Sequence, residues 1–189
     1  MNDIWAIVKQ VDFIAGLWVF VVLFALHEAE EWNIMRWYQR NYIDLPPTTD
    51  RAARTWIVFI SMMGLVWCIA GTLPGNPTIA AFVLLPAIAL ALQNALQHVY
   101  WLFYFKQYAP GIVTSVVFLI PLGVYLTIQA VWHNYVPIWY VGILALLIIP
   151  GLLQTVKAKN RMNPQIRGIH NLSIKLNKWI ERLVQIRAG

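Results

Sequence analysis

The run ALHEAEEW, residues 25 to 32, sets one histidine and three carboxylates inside sequence that is otherwise apolar. On a helix His27, Glu30 and Glu31 stand at i, i+3 and i+4 and share one face within about 100° of arc. Glu28 is rotated about 100° past His27, which gives it a supporting or lumen-facing role. A second run, ALQNALQH, pairs Asn94 with His98 and Gln93 with Gln97 at i, i+4. Two imidazoles and two carboxylates from two helices can complete a mononuclear Zn²⁺ or Fe²⁺ shell, or part of a dinuclear one. In that arrangement His27, Glu30 and His98 are ligands, and Glu31 is a bridging ligand or general base. Asn94 then supports a ligand or orients substrate. The expected chemistry is metal-assisted hydrolysis or oxidation of a lipophilic small molecule.

The same residues admit other chemistry. Two adjacent glutamates can divide the roles of proton donor and acceptor, with histidine as a shuttle, in an isomerase or cyclase acting on an isoprenoid-like lipid. They could also bind and release a proton or cation in a transporter, or pair with one another and fix helix register. The chain has no phosphate loop, no dinucleotide fingerprint and no G-x-S-x-G elbow. His27-Glu28 begins like H-E-x-x-H, but position 31 is glutamate.

What must position these residues is a membrane. Sixty per cent of the 189 residues are hydrophobic and only 12% are charged, a composition a water-soluble domain does not show. A carboxylate near the centre of a spanning helix costs roughly 2.5–3.5 kcal/mol on the cheaper insertion scale, so three of them require partners, protons, water or metal. The single Cys68 excludes an internal disulfide framework and a cysteine-rich metal site. The N-terminus has neither a basic n-region nor a small-residue cleavage site, so no removable signal peptide is expected.

Five segments are long enough to span: Val11 to Tyr38, Ala52 to Leu73, Thr78 to Phe105, Ile112 to Val131 and Val136 to Val156. Turn chemistry separates them, with Thr49 and Asp50 as caps for the second and Pro110-Gly111 suited to the centre of a type II turn. Ser61, Gly64, Cys68 and Gly71 form a small-residue stripe for close helix approach, and Pro86 and Pro121 mark kinks. Nearly all the Lys and Arg lie on one side of these spans, with only Lys9 on the other, which predicts N-out, C-in. The net charge of +6 then reflects topology and attraction to anionic lipid, and nucleic acid is not expected as a partner.

If the first span is one helix, His27 lies nine residues before the interfacial anchor Arg36, roughly 13 Å along the axis, in the inner leaflet. His98 lies eight residues before Lys106 in a span running the same way, so the two histidines should sit at similar depths. The chain divides into a bundle over 1–160 and a basic tail over 161–189. That tail repeats apolar Ile166, Ile169, Leu172, Leu176, Ile180, Leu183 and Val184 at helical spacing among basic residues such as Arg187. It reads as an amphipathic helix on the cytoplasmic membrane surface, or as one packed on the bundle or on a second subunit of a homo-oligomer. His170 and His133 read as surface residues.

The H-x-x-E-E run at His27, Glu30 and Glu31, the downstream His98, and the Y-x-P-G turn at Tyr108, Pro110 and Gly111 occur in order. Together they resemble the HXXEE family of small bacterial integral membrane proteins, over roughly residues 20 to 130. The resemblance implies a multi-pass protein of the bacterial inner membrane. It brings no activity, so function rests on the site. The fold class expected is all-α, a polytopic bundle of five spans and a C-terminal amphipathic helix.

Overall fold

The computed structural model describes residues 12–188. Lys9 and the Val11 start of the first span lie outside the described residues, as do the side chains of Val184 and Arg187. Among the described residues there are seven helices and no strand: α1 (Phe13–Glu30), α2 (Ile34–Asn41), α3 (Asp50–Thr72), α4 (Pro77–Phe105), α5 (Ile112–Trp132), α6 (Ile138–Ala158) and α7 (Pro164–Ala188). Local chemistry sets the helix starts. Asp12 accepts from the Ala15 N–H at 2.8 Å, and Thr49 accepts from Ala52 at 3.1 Å. Asn76 accepts from Thr78 and Ile79 just ahead of Pro77, which needs no donor in a first turn.

Helices α1, α3, α4, α5 and α6 are long and apolar enough to cross a membrane, and only 17–44% of each span is buried in the bundle. The remaining surface, with Val22, Val66, Leu90, Val117 and Leu146 exposed, is therefore apolar and faces lipid. The protein is a polytopic helical membrane bundle. Helix α4 is its axis and packs against α1, α3, α5 and α6. The small-residue stripe of α3 serves two neighbours. Gly64 faces Phe24 of α1, while Gly71 is so near Leu84 of α4 that a Cβ would come within 2.9 Å.

Two features depart from uninterrupted spans. The first span does not continue to Tyr38: α1 ends at Glu30, a turn follows, and α2 starts at Ile34. Arg54 of α3 holds that break, donating to Trp32 O at 3.3 Å and Asn33 Oδ1 at 2.9 Å with its guanidinium over the Trp32 ring. The redirected α2 lays Trp37 against Trp101 of α4, with ring centroids 4.9 Å apart, in a buried aromatic cluster with Tyr38, Tyr42 and Phe105. The axial depth from His27 to Arg36 is thus not measured along one helix. In α5, residues Ser115–Leu119 form a π turn whose Ile120 N–H bonds Ser115 O, immediately before Pro121. The widened turn accommodates a proline that cannot donate.

Helix α7 packs along α3 with Ile166, His170 and Ser173 inward, while Leu172 and Trp179 stay exposed. Asn163 caps it by accepting from Ile166 N at 2.8 Å. The Asn163 amide donates to Thr155 Oγ1 of α6 at 2.7 Å, and that hydroxyl donates to Gln97 Oε1 of α4 at 2.9 Å. All three side chains are buried, so this network ties the tail to the bundle.

Candidate functional site

The turn between α4 and α5 shapes the site. Ile112 N–H bonds Ala109 O at 3.1 Å, Pro110 occupies the first central position, and Gly111 at φ 91°, ψ −11° occupies the second, which is a type II turn. Helix α5 starts here, and its first N–H groups have no partner of their own in an apolar setting. Glu30 fills that gap from α1. Its carboxylate accepts from Thr114 N at 2.9 Å, Val113 N at 3.2 Å, Thr114 Oγ1 at 2.6 Å and the Tyr108 hydroxyl at 2.6 Å. An anion at a helix N-terminus is favourable both by hydrogen bonding and by the helix dipole. Burial, with the bond to Glu30, pushes the Tyr108 phenol up to about 12, so it remains a donor.

Thr114 extends this contact to His27. Its hydroxyl proton goes to Glu30, which leaves a lone pair for His27 Nδ1 at 2.9 Å. Nδ1 also lies 3.1 Å from Gly111 O, which can only accept, so Nδ1 carries the proton. Nε2 is then the atom that faces inward, 2.9 Å from Asn94 Nδ2 and 3.1 Å from Glu31 Oε1. Metal-ligating histidines are commonly fixed in this way, with the outer ring N–H donated to a carbonyl.

His98 Nε2 approaches the same Glu31 oxygen at 2.7 Å from α4. Yet neither nitrogen of His98 nor Glu31 Oε1 completes a hydrogen bond of good geometry, although all three are buried. The two imidazoles stand edge to face with centroids 5.0 Å apart, and Trp101 backs His98 at 4.8 Å. Ligand atoms of His27, Glu31 and His98 all lie within 4.8 Å of one another. Ligands of a tetrahedral ion with bonds of about 2.0–2.1 Å stand roughly 3.3 Å apart, so a small outward adjustment would admit a divalent ion. Gly111 closes the group from outside. A Cβ there would come within 2.8 Å of both His27 Cε1 and His98 Cε1 and within 3.1 Å of Glu31 Oε1. Donor type, unsatisfied buried atoms and this close cover all fit a metal centre.

A cavity of about 560 Å³ opens beside the group, between α1, α3, α4 and α7. Phe20, Phe24, Ile60, Met63 and Trp67 are among its apolar walls, and Glu28, Glu31, Asn94 and Gln97 are among its polar residues. Its volume lies within the ~300–1,000 Å³ of ordinary ligand pockets. Helix α7 contributes His170 to the lining. The sequence reading put His170 on the surface, but it is only 5% exposed and packs edge-on to Tyr38 at 5.2 Å. Burial, partly opposed by Glu31, pulls its imidazole down to about 4, so it is neutral near pH 7. Burial and then the Glu31 charge hold the Tyr38 phenol well above its usual range. His133 stays exposed and stacks on Tyr135.

Of the residues singled out by spacing, the structure brings His27, Glu31, Asn94 and His98 together at the α1–α4 interface. It turns Glu30 to the start of α5. Residues 18–126 match the family described as "Protein of unknown function with HXXEE motif". The chain belongs to the HXXEE family. No curated protein and no solved structure matches it. In this HXXEE protein the first motif glutamate caps α5 and the second meets both histidines. Sequence spacing missed Thr114, Tyr38 and His170. Thr114 had a readable signal, because a Pro-Gly turn opening an apolar helix leaves exposed N–H groups that need an anion, and a hydroxyl residue sits among them.

Proposed function

We propose that the protein is a metal-dependent enzyme of the bacterial inner membrane that acts on a lipophilic substrate. His27, Glu31 and His98 are the ligands. What supports this is the convergence of three ligand atoms, two of them without a completed hydrogen bond, at a largely apolar cavity that Glu31 itself lines. A divalent ion at this position would supply Lewis-acid activation of water or of a substrate oxygen. Glu31 is placed to take a proton from a hydroxyl or water between the cluster and the cavity. Asn94, which reaches His27 and lines the cavity, orients the substrate. Thr114 and Glu30 hold His27 in the tautomer that presents Nε2. With the N-terminus outside and α7 on the cytoplasmic face, the site opens toward the inner leaflet.

Elemental analysis of protein purified through a non-chelating tag tests this. Near-stoichiometric zinc or iron is expected, with loss in His98→Ala and Glu31→Ala. Folded and functional protein without metal would instead assign the same three groups to proton transfer.

A further inference from the structure

A groove of about 770 Å³ runs between α3 and the C-terminal half of α7, and no residue lines both it and the cavity beside the histidines. Its two ends differ in chemistry. Arg51 and Arg54 stand at the start of α3, and Val58, Phe59 and Met62 follow them at helical spacing. Leu176, Trp179 and Ile180 form the α7 side. Val58 and Met62 are more than half exposed on a helix that crosses the membrane, so this apolar part opens to lipid. Arg54 and Met62 are eight residues apart, roughly 12 Å along the axis, against about 15 Å for the hydrocarbon of one leaflet.

The charged end is held in place before any ligand arrives. Arg54 donates to Trp32 O and Asn33 Oδ1 with its guanidinium over the Trp32 ring, and its Nη1 makes no hydrogen bond among the described residues. Arg51 pairs with Glu181 at 3.3 Å and keeps 70% of its side chain exposed. Lys175, Lys178 and Arg182 alternate in sequence with the α7 wall. Five cations thus stand with two carboxylates, Asp50 and Glu181. A guanidinium fork matches the oxygens of a phosphate, and Trp32 and Trp179 are the residue type that settles at headgroup level. A second copy of the chain is a poor occupant. Its acids are committed elsewhere, for Asp12 caps α1, Glu28 and Glu31 line the cavity, Glu30 caps α5 and Asp44 pairs with Arg167. Two basic faces would also repel.

We propose that this groove binds one anionic phospholipid, with its phosphate on Arg51 and Arg54 and an acyl chain along Val58, Phe59 and Met62, so that the lipid bridges α3 and α7. The test is native mass spectrometry of the full-length protein, released from detergent after titration with dioleoyl phosphatidylglycerol or dioleoyl phosphatidylcholine. The first phosphatidylglycerol is expected to bind at least tenfold more tightly than the first phosphatidylcholine, and excess inorganic phosphate should not displace it. Arg51→Gln combined with Arg54→Gln should bring the two lipids within threefold of each other. Arg36→Gln combined with Arg40→Gln, at exposed positions of α2 outside the groove, should leave the preference intact. Equal binding of the two lipids, displacement by inorganic phosphate, or an equal response of the two double variants would overturn the proposal. Arg54 also holds the break after α1. Should its variant not fold, Arg51→Gln alone decides, since an exposed ion pair adds little to stability: the preference falls at least threefold, or the site is not this groove. None of these readouts depends on metal.

Discussion

Glu30 and Glu31 leave the same end of α1 and enter opposite surroundings. On the Glu30 side, four donors from the Tyr108 hydroxyl and the first residues of α5 meet the carboxylate. On the Glu31 side, an oxygen and two imidazoles crowd together with hydrogen bonds left incomplete. A satisfied carboxylate stabilises the fold, whereas one left short of partners is available for a ligand. The difference arises from rotation of about 100° between consecutive helical residues, and from the turn that ends α1 directly after Glu30. The motif thus combines a glutamate that caps α5 with one that meets both histidines, where we propose the ion is held.

Removing the shared cover should break both sides at once. Gly111→Ala forces a Cβ into His27 and His98 at a positive φ, and the expected cost is about 2–4 kcal/mol with loss of metal binding. Thermal unfolding and metal titration in the same detergent measure this. The paired variants sharpen the contrast. Glu30→Gln should lower stability by about 1–3 kcal/mol through the α5 cap and keep measurable metal affinity. Glu31→Gln should keep the fold and lose at least 100-fold in affinity. Identical behaviour of the two variants would erase the distinction. Thr114→Val separates the sides more gently by cutting the link from Glu30 to His27, for which roughly 10–100-fold weaker metal binding is expected, with modest change in melting temperature.

The smallest effect concerns α7. His170 is held down to about 4 in the folded state against an ordinary value near 6.5. Between those values the undocked state binds the proton and the docked state does not, so docking is strongest above about pH 6.5 and weakens as pH falls toward 4. The groups facing it are Tyr38, which stays protonated, and Glu31. Hydrogen exchange along α7, corrected for intrinsic rate, should accelerate from pH 7 to pH 5. That acceleration should be absent in His170→Gln.

How much was legible in the sequence follows from the range over which each feature is decided. The last four spans, the Thr49 cap and the Pro110-Gly111 turn depend on neighbouring residues, and they stand where apolar run length and turn chemistry put them. His27 does meet His98, as expected of two spans running the same way, but the depth count to Arg36 behind that expectation crosses the break after Glu30 and does not account for the meeting. The break after Glu30 was not legible, because it is held by Arg54 from α3 and by Trp37 packing on Trp101, both distant in sequence. The inward turn of His170 was hidden for the same reason: an amphipathic pattern gives the faces of a helix but does not say which one a bundle covers.

The central claim is that His27, Glu31 and His98, and not Glu30, hold a divalent ion. X-ray absorption at the zinc edge of the zinc-loaded protein tests it most directly. The account predicts two imidazole nitrogens and one carboxylate oxygen at about 2.0–2.1 Å, an unchanged spectrum in Glu30→Gln and a lost shell in Glu31→Gln. A shell without imidazole scattering, or one that depends on Glu30 and survives loss of Glu31, would contradict it.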